Sequence, residues 1–284
     1  MKLIFLSFSL MTSIAVFAQP KMVNQAIITT STNIIAPEED DVSQIQPQGE
    51  GRGGGFNFRN MLDGEIKSTT YIKNDLVKTS FKSETAKGTI YRDNAAKVTT
   101  TITEMMGNKN GVRSTDDDQV EMKKKMDSMM AERMKTDTNM RRRTRNVEFK
   151  NTIAYTEETK KIAGYNCKKA YIITDRLLRK DSLAVWFTPD VKFPNVASTG
   201  GTSSLGMMAT FFGGAPSFDK IEGFVMMYET KLPRGRVMEV KVTKIELDKE
   251  IAAKEFEIPK DIEIKSMKDM QGQGGGMRMI MGGR

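Results

Sequence analysis

The sequence predicts a mainly β, α+β fold: a curved antiparallel sheet with one long methionine-rich helix and a short helical loop across its concave face. Three observations predict it. Runs rich in Thr, Ile, Val and Tyr, broken by turn residues, recur in two blocks, before and after residues 114–145. Between the blocks lies one segment whose methionines follow helical spacing. That methionine stripe has to be covered, and the hollow of a bent sheet is the available surface.

Each element follows in chain order. Residues 1–18 read as a secretory signal, with Lys2 as the positive start, an apolar run from Leu3 to Phe17 and small residues ending at Ala18. The run is too short for a bilayer span, and no cysteine follows the expected cleavage point to carry a lipid. These features predict an exported protein, periplasmic or secreted. Residues 19–55 are polar and interrupted by Pro37, Pro47 and "GEGRGGG", so a flexible leader is expected there. A single domain is expected over 56–268, followed by a flexible Gly- and Met-rich tail over 269–284.

Inside the domain, "EIKSTTYIKN", "LVKTSFKSET", "GTIYRDN" and "KVTTTITEMM" (65–106) predict an antiparallel meander with one wet face. The helix follows at 115–140. It opens on Ser114, Thr115 and three aspartates, which suit a helix start, and ends near Arg141, Arg142, Arg143 and Arg145, which suit a helix end. Further strands are expected at 146–157, 165–175, 182–191, 221–232, 235–247 and 256–264. The Gly/Ser/Thr-rich connection 196–218 is long for a loop, and its centre, Leu205 to Phe212, is apolar enough for a docked helical turn.

The composition excludes several function classes. The chain has no histidine and one cysteine, so Ser-His-Asp and Cys-His pairs and histidine-bound metals are not available. No enzyme activity, metal or cofactor is expected. The formal charge of +8 is compatible with anionic surfaces, but outside the cytoplasm nucleic acid is not the expected partner. On an extended strand Cys167 shares a face with Tyr165 and Lys169, and free cysteines are commonly buried, so Cys167 is expected in the core. Gly164 suits a turn needing an unusual backbone angle.

The segments "TKKIAGYNCKKAYI" and "LAVWFTPDV" carry a resemblance. They are similar to the pattern K-x-I-A-G-Y-x-C-x-K-A followed by A-W-F-T of the exported domain-of-unknown-function 4412 family, related to the GLPGLI family. "GFVMMYETKLPRGRVMEVKVTKIE" and the final "FEIP" resemble the end of the same domain. The resemblance implies a lipoprotein-carrier fold of the LolA/LolB type, a half β-barrel with helices across its concave face, and no established activity.

Together these readings predict a non-catalytic envelope protein that binds a hydrophobic or lipid-like ligand or an envelope partner. Met122, Met126, Met129, Met130 and Met134 would line the hollow, with Trp186, Phe211 and Phe212 nearby, because thioethers adapt to varied apolar shapes. Arg141, Arg142 and Arg143 would hold an anionic headgroup. The alternatives are an interaction module with a filled core and no ligand, or Cu(I) binding by methionine thioethers. Trp186 also reads as a core anchor.

Overall fold

A computed structural model describes residues 20–35, 64–136, 150–194 and 218–272, apart from 84–85, 106, 177–178, 219, 232–234 and 248. The described chain is mainly β. Strands β1 (Lys21–Met22), β2 (Gln25–Ile35), β3 (Gly64–Lys73), β4 (Leu76–Lys82), β5 (Ala86–Asp93), β6 (Val98–Met105) and β7 (Asn108–Thr115) precede helix α1 (Asp116–Thr136). After it come β8 (Lys150–Ile162), β9 (Tyr165–Arg176), β10 (Arg179–Thr188), β11 (Val191–Lys192), β12 (Phe224–Lys231), β13 (Val237–Glu246), β14 (Ile264–Ser266) and helix α2 (Met267–Gly272).

Twelve strands form one open sheet in the order β14-β7-β6-β5-β4-β3-β2-β13-β12-β10-β9-β8. Every described pair in it is antiparallel except β14–β7, and β1 pairs with β11 as a separate parallel ribbon. The long meander arises because β-branched residues alternate along short strands joined by tight turns. Between β8 and β9 the turn is two residues long, and Ala163 and Gly164 both take positive φ, 50° and 89°. That is the hairpin geometry for which glycine is preferred.

Two buried clusters hold the second half of the sheet. One gathers Ile28, Ile72, Ile162, Cys167, Phe193 and Met226; the other gathers Ile172, Val185, Phe187, Phe218, Tyr228 and Met238. Strand β12 is buried through five consecutive residues, Phe224–Tyr228. Successive strand side chains point to opposite faces, so β12 is covered on both.

Three expectations change. The leader is not a leader over residues 21–35. These residues form β1 and β2, and β2 lies between β3 and β13, joining the two halves of the sheet. Its run "AIITTSTNII" has strong strand composition, and Ala26, Ile28 and Thr32 are at most 4% exposed. Residue 19 and residues 36–55, like the signal segment 1–18 and the tail beyond Gly272, lie outside the described residues. Secondly, residues 108–115 form β7 before the helix. Thirdly, the described side chains of α1 stay out of both core clusters, while those of Met126, Met130 and Met134 lie outside the described residues. No described α1 side chain is buried, Val120 is 52% exposed, and neither core cluster includes a residue of α1. Lys and Glu interleave with the methionines, which narrows the apolar side of the helix. Its sustained backbone contact is with β7, the strand it leaves.

The start of α1 follows the sequence. Thr115 caps it: the Thr115 hydroxyl accepts the Asp118 amide at 3.1 Å, and the Asp118 carboxylate accepts the Thr115 amide at 2.8 Å. Asp116 receives both ends of the Arg92 guanidinium from β5, and that bond holds its carboxyl below the usual range. A depressed folded pKa gives stability that is present above the ordinary carboxylate pKa of about 4 and is lost as pH falls through the lower folded value. Denaturant titrations from pH 5 to pH 2 should therefore show D116N less stable than the parent at pH 5, with the gap closing on acidification. A gap that stays constant with pH removes this account.

The segment after β13 crosses the meander on the face carrying Tyr91. Lys73 donates to the Ile251 carbonyl at 2.7 Å, Lys78 pairs with Glu255 at 2.9 Å within the 3-10 turn Ala253–Phe256, and β14 closes onto β7. The expected strand at 256–264 is thus mostly a strap, with only its end entering the sheet.

Candidate functional site

The structure places the segment with the "GYNCKKAY" signature at one end of the sheet and builds an aromatic–cation shelf from it. Cross-strand register sets the arrangement. Lys160 of β8 stands opposite Cys167 of β9, Lys169 of β9 stands opposite Trp186 of β10, and Trp186 stands opposite Met227 of β12. Directly opposite residues in antiparallel strands share a face, so these side chains form one continuous patch.

Two irregularities shape it. Between β10 and β12 the register shifts after Trp186. Between β8 and β9 it shifts from Tyr155–Ala170 to Thr159–Lys168, so that Thr156, Glu157 and Glu158 face only Lys169. Bulges of this kind re-aim side chains. Here the fold-back brings both Glu158 carboxylate oxygens to the Lys169 ammonium, at 2.9 and 3.0 Å. Thr156 steadies the bulge, its hydroxyl donating to the Lys169 carbonyl at 3.2 Å.

The ammonium of Lys169 lies 5.1 Å from the Tyr171 ring centre and 5.6 Å from that of Trp186, and Lys160 lies 5.6 Å from Trp186 on its own account. Cations within about 6 Å of an indole are attracted by its ring quadrupole. Hydrogen bonding to Tyr171 and then to Glu158 raises the Lys169 pKa, so it stays charged. Lys160 also reaches the Met227 sulfur at 3.8 Å. Beneath the patch Cys167 is 0% exposed, its thiol lies 3.6 Å from the Tyr165 carbonyl, and burial pushes its pKa up to about 11. It is a packed core thiol held in its unreactive protonated form. The shelf can offer a stacking surface, two fixed cations and one carboxylate to a ligand. No described side chain near it is placed as a nucleophile with a base.

Of the residues expected from sequence, Trp186 lies on this shelf, half-buried and packed against the first core cluster. Met122 and Met129 are half-buried on α1 and do not join that cluster. The side chains of Met126, Met130 and Met134 lie outside the described residues, as do Phe211, Phe212, Arg141, Arg142 and Arg143 and the expected helical turn at 205–212. Of the expected methionine-lined site the described side chains thus include only Met122, Met129 and Trp186, and of these Trp186 packs against a core cluster. Sequence reasoning passed over Lys160, Lys169, Tyr171 and Glu158. Their signal was only the lysine–aromatic interleaving around Cys167, and partners across strands depend on register. Among the described residues no group of three or more Cys, Asp or Glu is placed to hold a metal, and no helix is long and apolar enough to cross a membrane.

The described chain is thus an open, mainly β sheet carrying an aromatic–cation shelf near one edge. Residues 70–211, half of the chain, match the family model described as N-glycanase peptide, N-terminal domain, and the chain belongs to that family. The matched stretch includes every shelf residue except Met227. Solved structures of PNGF-II in two crystal forms, P21 and C2, are similar to it at 16% and 15% identity, with TM-scores of 0.38 and 0.37. They cover 88% and 91% of this chain, which spans a third of the length of each of them. No curated protein matches the chain.

Proposed function

We propose that this chain is an exported, non-catalytic binding module whose Trp186 shelf engages a sugar of a glycosylated ligand. The single observation that carries this reading is the Trp186–Lys169–Glu158 arrangement. An indole beside a fixed cation and a fixed carboxylate suits the apolar face and the hydroxyls of a pyranose ring. Membership in a family named for an N-glycanase supports the choice of ligand class. The resemblance to the exported 4412-type domains supports the envelope location, and its signature lies in the very strands that build the shelf. A half-barrel curvature belongs to the same reading, since open sheets of this many strands coil rather than stay flat.

A second reading keeps an interaction role without a sugar. The two clusters around Phe218 and Cys167 are filled by their own side chains, which favours a rigid module that meets an envelope partner with its surface.

Trp186 is the sole tryptophan of the chain, so intrinsic fluorescence reads the shelf directly. Titration with an N-glycopeptide should shift or quench its emission, and the same peptide without its glycan should not. Replacing Trp186 by Ala should weaken binding, measured by calorimetry, by about tenfold, the loss expected from a stacking contact of about 1.5 kcal/mol. An emission change with a fatty-acid probe and none with the glycopeptide would transfer the site to a lipid-like ligand. Identical responses to both peptides would leave the interaction module.

A further inference from the structure

We propose a second binding site on the opposite half of the sheet: the cleft between the meander and the C-terminal strap takes a small carboxylate carrying one apolar ring. The cleft measures about 200 Å³ and is lined in part by Leu76, Tyr91, Val98, Arg113, Phe256 and Ile258. Apolar cavities of about 150 Å³ accept benzene, so this volume holds one ring and a short polar head. Leu76 and Ile258 are 37% and 40% exposed, which leaves apolar surface at the mouth that no described residue covers.

The charge pattern selects the head group. Register sets Lys78, Tyr91, Thr100 and Arg113 in one row across β4, β5, β6 and β7, all on the face under the strap. The row has a cation at each end. At the Lys78 end a carboxylate of the protein is already seated: Glu255 of the strap, 2.9 Å from the ammonium. At the other end the Arg113 guanidinium has no hydrogen bond or ion pair among the described residues, its backbone being paired in β7. The neighbouring charges are engaged elsewhere, Arg92 with Asp116 and Asp93 with the Ala96 amide. Thr100, between Tyr91 and Arg113, is 2% exposed and closes the floor. A ligand carboxylate at Arg113 would repeat what Glu255 does at Lys78, with its ring among Val98, Phe256 and Ile258. A guanidinium is the side chain best shaped to hold a carboxylate with two bonds.

The test is a titration of the full chain with phenylacetate, followed by methyl NMR at Leu76, Val98 and Ile258. A dissociation constant of about 1 mM or tighter is expected. Phenylacetamide, the same shape without the charge, should bind at least tenfold more weakly, and R113Q should lose about tenfold for phenylacetate while leaving phenylacetamide unchanged. Arg113 is exposed, so R113Q should fold; I258K, also at an exposed position, should weaken both ligands. The proposal is overturned if phenylacetate moves none of these methyls at 10-fold above that concentration, if the amide binds as well as the acid, or if R113Q changes neither. Emission of Trp186 is expected to stay constant throughout, so this result stands apart from the sugar titration.

Discussion

A chain lacking residues 19–35 is expected not to fold, although composition marks those residues as part of a flexible leader. Strand β2 runs between β3 and β13, with ten paired positions against β3 and nine against β13. It is the only link between the meander and the β8–β13 half in the described strand order. Val23, Ile27 and Ile28 are at most 8% exposed, and Ala26 and Thr32 are fully buried. At about 1.5–3 kcal/mol for each large apolar side chain buried, the first three alone contribute roughly 5–9 kcal/mol. That is comparable to the whole stability of an ordinary domain, about 5–15 kcal/mol. Deletion also strips the ladder partners from two neighbouring strands, leaving buried backbone groups unpaired. Recombinant chains starting at 19 and at 36 separate the possibilities by circular dichroism and denaturant unfolding. The first should unfold cooperatively and the second should show no transition. I28A in the full chain, a milder form of the same test, should cost about 2–5 kcal/mol. A cooperative transition in the chain starting at 36 would return residues 19–35 to the role of a leader.

The same strand shows what could be read from the sequence and what could not. The strands between 65 and 105 and between 165 and 246 were legible because each alternates β-branched and polar residues between turn signals. The start of α1 was legible because capping is local: Thr115 and Asp118 are three residues apart in any context. Cys167 was legible as a core residue for the same reason, since alternation alone puts it beside Tyr165. Strand β2 was hidden because its Ile- and Thr-rich run shares a segment with prolines and a glycine run, and the average of the two is polar. Strand β7 was hidden because "NKNGVRST" has poor strand composition; pairing with β6 and β14 makes it a strand. Tertiary pairing overrides propensity there. Methionine spacing shows that α1 has an apolar side, but by itself does not say which surface comes to meet it.

The shelf was only partly legible. Trp186 stands out as the single tryptophan, but its partners are defined by register. Lys169 meets Trp186 because β9 and β10 pair residue for residue, and Glu158 meets Lys169 because extra residues in β8 fold back. A shift of one position would send Lys169 to the other face. No local pattern encodes that choice. It is set by the two-residue turn at Ala163 and Gly164 and by the burial of Ile162 and Cys167, which locks the hairpin in place.

Replacing Gly223 by Ala is expected to be the most damaging single methyl group that can be added to this half of the sheet. A Cβ at this position would lie 2.3 Å from the Thr188 carbonyl oxygen and 2.9 Å from the Thr188 carbonyl carbon and the Phe187 ring. The obstacle is backbone, so no rotamer change relieves it. Thr188 is fully buried and paired with Phe224, and Phe187 is 3% exposed in the second cluster. To admit the methyl, either β10 moves away from β12 or the turn from Phe218 to Gly223 moves outward. That turn is fixed by the Ile221 amide on the Phe218 carbonyl and the Gly223 amide on the Ile221 carbonyl, both at 2.9 Å. Either movement opens the cluster around Phe218 and Tyr228, at a cost of roughly 3 kcal/mol or more. Gly88 supplies the control. A Cβ there would meet the tip of the Phe81 ring at 2.4 Å, with the nearest backbone atom at 3.0 Å, and the half-buried Phe81 ring can swing away. Denaturant unfolding of both variants should therefore rank them clearly, G223A well below the parent and G88A closer to it. If the two lose the same stability, close backbone approach at Gly223 is not what holds β10 and β12 together, and the packing of the Phe218 turn has to be reconsidered.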